Sequence, residues 1–313
     1  LIYQFFSSRL TFFLLRIATL KIILLFLFFN GLSSFNAQMI NNEKPNILSE
    51  EPFFNPVFIK SVALKSLIGT VSTKKELGTI KNSGKKQNYC FNKLGQLTCS
   101  YTTNYKRDSN FIFYEYLKNN LAVKRYSDSY GFYSYSYSYN DRGLKSKQTY
   151  SRDKNASKSK INFSLLEKYV VFEESYDYSF SDTIVLRTIL NSNGRPYQKQ
   201  EYYYNQLGYL EKVKTILLIN NNVKSEIYKY NEKGFLKSVN YFKENNETPY
   251  KGVKYNYDEW GNVTFIDEYK QEVRVNHKEL LYNPATFILK TILSQDLVTN
   301  LITITKFKPK FYN

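Results

Sequence analysis

The chain contains very few of the residues on which metal binding and nucleophilic catalysis usually depend. Its 313 residues include one histidine, two cysteines, one methionine and one tryptophan. A single imidazole, on His277, excludes a two-histidine metal site within one chain, and two cysteines cannot form a thiolate zinc site alone. The twelve glycines form no phosphate-cradling loop. We therefore expect no metal and no cofactor.

Catalytic groupings are equally scarce. No nucleophile motif accompanies His277, which is followed by Lys278 and Glu279. Neighbouring residues of a strand point to opposite faces, so the adjacent carboxylates at 173–174 and 267–268 form no acid–base couple by themselves. The sequence predicts a protein that is not an enzyme. A hydrolase whose carboxylates lie far apart in the sequence is the alternative.

No run of five basic residues occurs, although the formal net charge is +17. Acidic residues are interspersed throughout, and Lys, Asn, Ile, Tyr and Phe are abundant together, as an AT-rich genome produces. We therefore do not expect a nucleic-acid partner. A weak general attraction for polyanions follows from the charge.

The longest uninterrupted apolar run has eight residues, 22–29, which is too short to span a bilayer. Arg16 and Lys21 precede it, and a polar stretch ending in Ala37 follows, as in a secretory signal. We expect residues 1–37 to be a signal peptide cleaved after Ala37, and the product to be exported to the periplasm, the cell surface or the medium. The alternative is a signal anchor over 10–29, which would bury Arg16 in hydrocarbon. After cleavage, membrane contact is not required.

Aromatic residues are unusually frequent, with 30 tyrosines and 24 phenylalanines, and they recur in a fixed frame. The frame is Tyr-x-aromatic-(Asn/Asp)-x-x-Gly, with five strict and three degenerate copies. Successive copies start 25, 23, 39, 26, 26, 27 and 25 residues apart, which is the signature of a repeat architecture. The turn positions of the copies are Gly95, Asn120, Gly143, Asp182, Gly208, Gly234, Gly261 and Thr286.

The frame predicts a β-hairpin with a type I turn and a left-handed residue at the glycine position. The residue four before the glycine should pair with the residue two after it, so that aromatic side chains face aliphatic ones. One sheet face is then a buried core that includes Tyr89, Phe91, Tyr137, Tyr139, Tyr176, Tyr178, Tyr202, Tyr204, Tyr228, Tyr230, Tyr255 and Tyr257. The opposite, wet face includes Tyr203, Lys229 and Asn256, which we interpret as a binding face.

Polar turns midway between the copies indicate two strands per unit and about sixteen strands in all. We expect an all-β fold of tandem β-hairpin repeats that form one long, curled antiparallel sheet with a short N-terminal helix. The expected organisation is a signal peptide (1–37), a leader with a short helix (38–85), the repeats (86–292) and a C-terminal strand or tail (293–313).

The repeats resemble the YD repeats of RHS-type exported bacterial proteins, whose motif is Tyr-x-Tyr-Asp-x-x-Gly-x-Leu. The copy nearest to this motif is YNYDEWGNV at 255–263, and the resemblance covers about 86–292. It implies a small, open or spiralling β array.

Asn55 and Pro56 are typical of a helix start, and Gly69 of its end. This helix covers the open edge of the first hairpin, or else the leader is disordered. Cys90 and Cys99 are a candidate disulfide because export favours oxidation. The expected register places Cys99 opposite Tyr89, which would turn the two thiols to different faces.

The leading functional hypothesis is a non-enzymatic exported scaffold that binds a partner or belongs to the cell envelope. Aromatic, amide and basic groups on the wet face suit a glycan, a polyanion or another envelope protein. One alternative is an outer-membrane β-barrel. Against it, lysines such as Lys124, Lys212 and Lys290 are expected near strand middles on the aromatic face. The other alternative is the repeat component of a toxin/immunity system.

Overall fold

A computed structural model describes residues 38–42, 53–75, 77–103, 108–128, 130–243 and 246–313, so the expected signal peptide lies outside the described residues. The described residues contain a short helix, α1 (Pro56–Ser61), and eighteen β-strands. The strands are β1 (Leu64–Lys75), β2 (Lys81–Phe91), β3 (Leu97–Thr103), β4 (Ser109–Leu117), β5 (Asn120–Asp128), β6 (Gly131–Tyr139), β7 (Lys145–Asn155), β8 (Leu165–Phe180), β9 (Ile184–Leu190), β10 (Pro196–Tyr204), β11 (Leu210–Leu217), β12 (Asn222–Tyr230), β13 (Leu236–Lys243), β14 (Lys251–Tyr257), β15 (Val263–Lys270), β16 (Val273–Tyr282), β17 (Leu289–Asp296) and β18 (Leu301–Phe311).

The eighteen strands form a closed antiparallel barrel. Each strand is hydrogen-bonded to the strands before and after it in the chain. β1 is bonded both to β2, with Ser66 opposite Cys90, and to β18, with Thr70 opposite Lys306. This last pairing closes the ring, and closure removes the open edges that a flat meander would leave.

The expectation of a long, open, curled sheet of about sixteen strands is therefore wrong. β1, in the expected leader, was missed, and β18 lies in the segment that was expected to be a C-terminal strand or tail. Gly69 does not end the helix, which stops at Ser61, but lies inside β1. A Cβ at Gly69 would approach the Gln87 carbonyl oxygen to 2.4 Å and the Phe307 ring to 2.8 Å, so glycine here permits close packing of β1 on its neighbours.

The five glycines of the strict repeats occupy the predicted left-handed turn position. Their φ angles lie between 74° and 83°. In each of these turns the Asn or Asp side chain caps the backbone. Asn231 Oδ1, for example, accepts hydrogen bonds from the backbone N–H groups of Lys233 (3.0 Å) and Phe235 (2.9 Å). The motif therefore encodes the turn through a side-chain acceptor and a glycine.

The three degenerate copies turn differently from the prediction. In the β4–β5 turn Lys118 has the positive φ, and Asn120 already belongs to β5. In the last copy the left-handed residue is Phe287, one position after Thr286. Asp182 lies in the β8–β9 turn but has no positive φ. Without glycine, each loop adopts another length or conformation.

The aromatic face of the repeats is the inside of the barrel. One core cluster joins residues from strands on several sides of the ring, such as Tyr89, Tyr228 and Leu280. Of the predicted core residues, Tyr89, Phe91, Tyr176, Tyr228 and Tyr255 are buried. The others are half-buried and are Tyr137, Tyr139, Tyr178, Tyr202, Tyr204, Tyr230 and Tyr257.

The predicted pairing across the turn holds in all five strict copies, for example Tyr230 opposite Leu236 and Tyr257 opposite Val263. A β-bulge follows each turn and shifts the register by one residue. Beyond the bulge Lys212 lies opposite Tyr203 and Ile227, on the outer face, so its expected place on the aromatic face is wrong.

Candidate functional site

The interior of the barrel is the candidate functional site, and the N-terminal residues 38–42 and 53–63, called here the inner segment, pack into one end of it. Ile40 and Phe54 form an antiparallel bridge, and α1 follows, capped by Asn55 Oδ1 at 3.1 Å from the Val57 N–H. Met39 and Ile59 of this segment are fully buried in the core cluster. The leader therefore supplies core, which the hypotheses of an edge cover and of disorder did not predict.

We call the end of the barrel that carries the repeat turns, including those at Gly95 and Gly261, the turn rim. Polar contacts fix the inner segment to this end. Asn42 Nδ2 donates to the Gly261 carbonyl (2.8 Å), and Gln38 Nε2 donates to the Trp260 carbonyl (3.0 Å). At Gly95 a Cβ would lie 2.0 Å from the Pro56 carbonyl oxygen, so α1 sits directly against that turn. The segment is thus held by turns of different hairpins.

A row of tyrosine hydroxyls ties neighbouring strands together at the turn rim. In six of the eight repeat copies the tyrosine before the turn donates to a backbone carbonyl on the preceding strand. These pairs, with oxygen–oxygen distances between 2.5 and 3.0 Å, are Tyr116–Leu97, Tyr139–Leu121, Tyr178–Lys145, Tyr230–Leu210, Tyr257–Leu236 and Tyr282–Val263. Tyr312, after β18, reaches the Phe91 carbonyl across β1 at 2.5 Å. The row therefore continues through the seam that closes the barrel.

Further from the turn rim, an aromatic surface lines the lumen on β5–β8. This tyrosine wall consists of Tyr126, Tyr133, Tyr135, Tyr150 and Phe172. Ring centroids are 4.9 Å apart between Tyr126 and Tyr133, and 5.2 Å apart between Tyr150 and both Tyr135 and Phe172. None of the five rings is buried.

Cations lie against the tyrosine wall. The Lys124 Nζ atom is 5.1 Å from the Tyr126 ring centroid, and the Arg152 guanidinium is 5.5 Å from that of Tyr133. Such contacts stabilise a cation over an aromatic face by about 0.5–1 kcal/mol at exposed sites. A solute inside the barrel would contact aromatic rings and positive charges at the tyrosine wall.

The two faces of β15 carry separate polar contacts to β16. On β15, Glu268 accepts from Lys278 Nζ at 2.6 Å on the inner face, whereas Asp267 Oδ1 lies 2.7 Å from His277 Nδ1 on the outer face. Among the described residues, no group of three His, Cys, Asp or Glu side chains could hold a metal ion.

The predicted binding residues Tyr203, Lys229 and Asn256 form a row on the outer face rather than a pocket. They lie on β10, β12 and β14, and alternate strands are about 9–10 Å apart. Asn256 borders a shallow cleft of about 490 Å³ that also contacts Lys233, Phe235 and Asp258. The binding role of the row stays a prediction.

Cys90 and Cys99 lie directly opposite each other on the outer face, which corrects the register expected for them. The bulge after the β2–β3 turn places Ser100, not Cys99, opposite Tyr89. Directly opposite Cα atoms in an antiparallel pair are about 4.5–5.5 Å apart, within the range that a disulfide spans. The structure has both residues as thiols.

On the outer face, the β7–β8 loop folds back over the strands. Phe163 of this loop packs on Phe132, with centroids 4.6 Å apart, and lies 4.3 Å below the Arg125 guanidinium. At its edge, Lys160 donates to Asp108, and this hydrogen bond lowers the pKa of the Asp108 carboxyl. We call residues 156–164 the outer clasp.

Sequence reasoning missed the inner segment and the tyrosine wall, although signals for both were present. The apolar residues Met39, Ile40, Phe53 and Phe54 flank the predicted helix. The stretch 133–139 places four tyrosines on one face of β6, more than the repeat requires.

No family model and no curated protein matches the chain. Among solved structures, a porin-like protein from Bacteroides uniformis is similar over 79% of this chain and 98% of its own, with 11% identity and a TM-score of 0.37. A porin-like protein from Bacteroides vulgatus is similar over 77% and 97%, with 11% identity and a TM-score of 0.31. The complex TcdB2-TccC3-Cdc42 is similar over 77% of this chain and 16% of its own, with 11% identity and a TM-score of 0.31.

These TM-scores are low, so the fold rests on the hydrogen-bonded strand order. The identification with RHS-type YD repeats is not supported, because no family model matches and the sheet closes into a barrel. The closed ring of strands agrees with the barrel alternative and not with the open repeat scaffold. No helix among the described residues is long and apolar enough to cross a bilayer.

Proposed function

We propose that the chain is an exported barrel protein of the bacterial envelope, of the outer-membrane barrel class. The closed ring carries the proposal, since β1 joins β18 and every strand pairs with its sequence neighbours. Bacterial outer-membrane barrels are single chains with an even number of antiparallel strands, between 8 and 26 in most cases. Eighteen strands fall in the range of barrels that enclose an aqueous lumen.

The interior supports a role that involves a solute. The lumen combines the tyrosine wall with ionic groups such as Arg152 and the Glu268–Lys278 pair. The inner segment packs into the turn-rim end, so access is expected from the opposite end. We assign contact with the solute, a glycan or another polar molecule, to the tyrosine wall, and we assign no catalysis to the barrel.

The N-terminal sequence supports export. Arg16 and Lys21 before the apolar run 22–29 form the pattern of a secretory signal. An exported barrel can have one of two placements. It is either inserted in the outer membrane or surrounded by water within the envelope.

The outer face favours the water-exposed barrel as a second candidate. Lys199, Glu201, Lys212 and Lys214 lie on the outer face of β10 and β11 at mid-strand positions. A lipid-facing band should be apolar, and a Lys at the bilayer midplane costs about 2–4 kcal/mol. The charged outer face favours the water-exposed placement. The proposal of an exported barrel holds for both placements.

Cell fractionation tests the proposal with the full chain expressed in a Gram-negative host. We expect the chain outside the cytoplasm, either in the pellet after carbonate extraction, which indicates insertion, or in the soluble envelope fraction, which indicates the water-exposed barrel. A folded chain that stays in the cytoplasm would overturn the proposal.

A pair of variants separates the two placements further. Leu186→Arg adds a charge to the outer face, and the control Gln198→Arg adds it to the lumen face, on adjacent strands β9 and β10. In an inserted barrel Leu186→Arg lowers the carbonate-resistant fraction and Gln198→Arg does not. In a water-exposed barrel neither variant changes the fractionation.

A further inference from the structure

One strand of the barrel is much longer than its following neighbour. β8 has sixteen residues and β9 has seven, and β9 pairs only with Ser175–Phe180 of β8. β7 pairs with β8 on the other side as far as Leu165. Within the described part of the chain, residues 165–172, called here the free edge, therefore have a paired strand on one side only.

The β9–β10 turn marks where the free edge ends. Ser192 Oγ accepts from the Glu173 N–H at 2.9 Å and lies 3.2 Å from the Glu173 carbonyl oxygen. These contacts satisfy the backbone of Glu173 but lie beyond residues 165–172. Alternate N–H and C=O groups of the free edge thus face outward, and none of the described strands lies beside them.

The free edge is apolar and exposed. Six of its eight residues are large hydrophobic residues that are between 38% and 57% exposed, namely Leu165, Leu166, Tyr169, Val170, Val171 and Phe172. Its two charged residues are bonded to β6 and β7, Lys168 to Ser136 Oγ (2.6 Å) and Glu167 to Lys154 (3.4 Å).

Protein sheet edges are usually protected by free lysines, proline or a covering loop. The free edge contains no proline and no glycine. A long, apolar, unprotected edge is the surface to which an extended peptide adds as a further strand.

A cavity at the end of the free edge indicates what such a strand should carry. It has a volume of about 290 Å³ and is lined by Phe172, Glu173, Glu174, Asn191, Ser192 and Tyr197. The Glu174 carboxylate accepts hydrogen bonds from the hydroxyls of Tyr176 (2.9 Å) and Tyr197. The Glu173 side chain points to the opposite face of the strand and is paired with Lys147 at 2.9 Å, so the Glu174 carboxylate is the group at the cavity that attracts a positively charged side chain.

Charge also excludes a second copy as the best occupant. Two of the three glutamates in residues 165–174 are paired with lysines, Glu167 with Lys154 and Glu173 with Lys147, whereas Glu174 is bonded to tyrosine hydroxyls. The free edge of a second copy would bring one basic residue, Lys168, which is already hydrogen-bonded to Ser136 Oγ. A basic partner segment meets the opposite charge.

We propose that residues 165–172 are a docking edge for an extended segment of another protein. The segment is apolar at alternate positions and carries a Lys or Arg side chain that enters the cavity beside Glu174. It adds to β8 as a strand in the gap that the short β9 leaves.

The test uses a labelled ten-residue peptide that alternates valine with threonine and ends in lysine, and the full-length protein. We expect the peptide to bind in fluorescence anisotropy and to slow amide hydrogen exchange at residues 165–172. The double variant Leu166→Lys/Val171→Lys should weaken binding at least about tenfold. The control Val298→Lys changes a valine that is 77% exposed in the β17–β18 turn, and it should have no effect.

A second comparison tests the cavity without altering the edge. Glu174→Gln should weaken the lysine peptide more than a peptide that ends in norleucine, whereas Glu247→Gln, in an exposed loop, should weaken neither. Unchanged exchange at 165–172, or equal binding to the double variant, would overturn the proposal. So would sedimentation showing that the protein dimerises through this edge, because the occupant is then a second copy.

Discussion

In six of the repeat copies the tyrosine that precedes the turn links its strand to the preceding strand. Its ring lies on the inner face, and its hydroxyl reaches the backbone carbonyl of the residue where the preceding strand begins, as Tyr230 does with Leu210 at 2.9 Å. The sequence predicts the ring's burial from the alternation of the strand. It does not predict the hydroxyl contact, because that depends on how neighbouring strands are staggered.

Replacing one of these hydroxyls should weaken the barrel measurably. Tyr230→Phe leaves the Leu210 carbonyl without its donor, and the loss of one such bond typically costs about 0.5–1.5 kcal/mol. The urea midpoint should fall accordingly. Tyr250→Phe is the control, because Tyr250 makes its side-chain contacts through the ring. Equal midpoints for Tyr230→Phe and wild type would contradict the role assigned to the row.

The cysteine pair makes a second prediction for single residues. Cys90 and Cys99 face each other across β2 and β3, so oxidation should join them without moving the strands. Oxidised glutathione accepts the two electrons and the two thiol protons and becomes two molecules of reduced glutathione. Mass spectrometry should show an internal disulfide and the loss of two hydrogens. Full alkylation of both thiols after this treatment would show that the pair does not close.

Among the elements, the outer clasp depends on a buried ion pair. Arg125 Nε donates to Asp153 Oδ2 at 2.7 Å, and both side chains are nearly inaccessible to solvent. Phe163 of the clasp covers the guanidinium, with its ring centroid 4.3 Å away. The pair therefore connects β5 and β7 to the loop that follows β7.

Removing only the arginine should be costly. Arg125→Ala leaves the Asp153 charge buried and unpaired, which typically destabilises a protein by about 3–5 kcal/mol. The double variant Arg125→Leu/Asp153→Leu removes both charges and should recover much of that loss. Denaturation midpoints of the two variants measure this difference. If the double variant is as unstable as the single one, packing rather than charge holds the clasp.

The elements could be predicted where the repeat is strict and were missed where it is not. In the copy that ends at Gly234, Asn231 and the glycine specify the turn, and the tyrosines specify the strand pairing and the buried face. β1 and β18 carry no such motif, and Gly69 looks like a helix end. Only the closing of the ring around Gly69 and Phe307 explains why glycine is needed there.

The site at the scale of the whole molecule was harder to predict than its strands. Tyr133 and Tyr150 can be assigned to one face from sequence, but their meeting in a wall requires β6 and β7 to be aligned by their bulged turn. The free edge of β8 likewise exists only because β9 is short. Both features arise from the relative lengths and registers of strands, which a single repeat motif does not specify.

The pairing of β1 with β18 is the central claim, and cross-linking tests it most directly. In a Cys90→Ser/Cys99→Ser background, Thr70→Cys and Lys306→Cys place thiols at directly opposite positions. The control pairs Thr70→Cys with Thr291→Cys, which lies opposite residue 306 on the far side of β18 and is therefore about 9–10 Å from position 70. We predict that the first pair forms a disulfide within the monomer under dilute oxidation and that the control pair does not. Absence of the monomeric cross-link in the first pair, with the chain folded, would contradict the closed barrel.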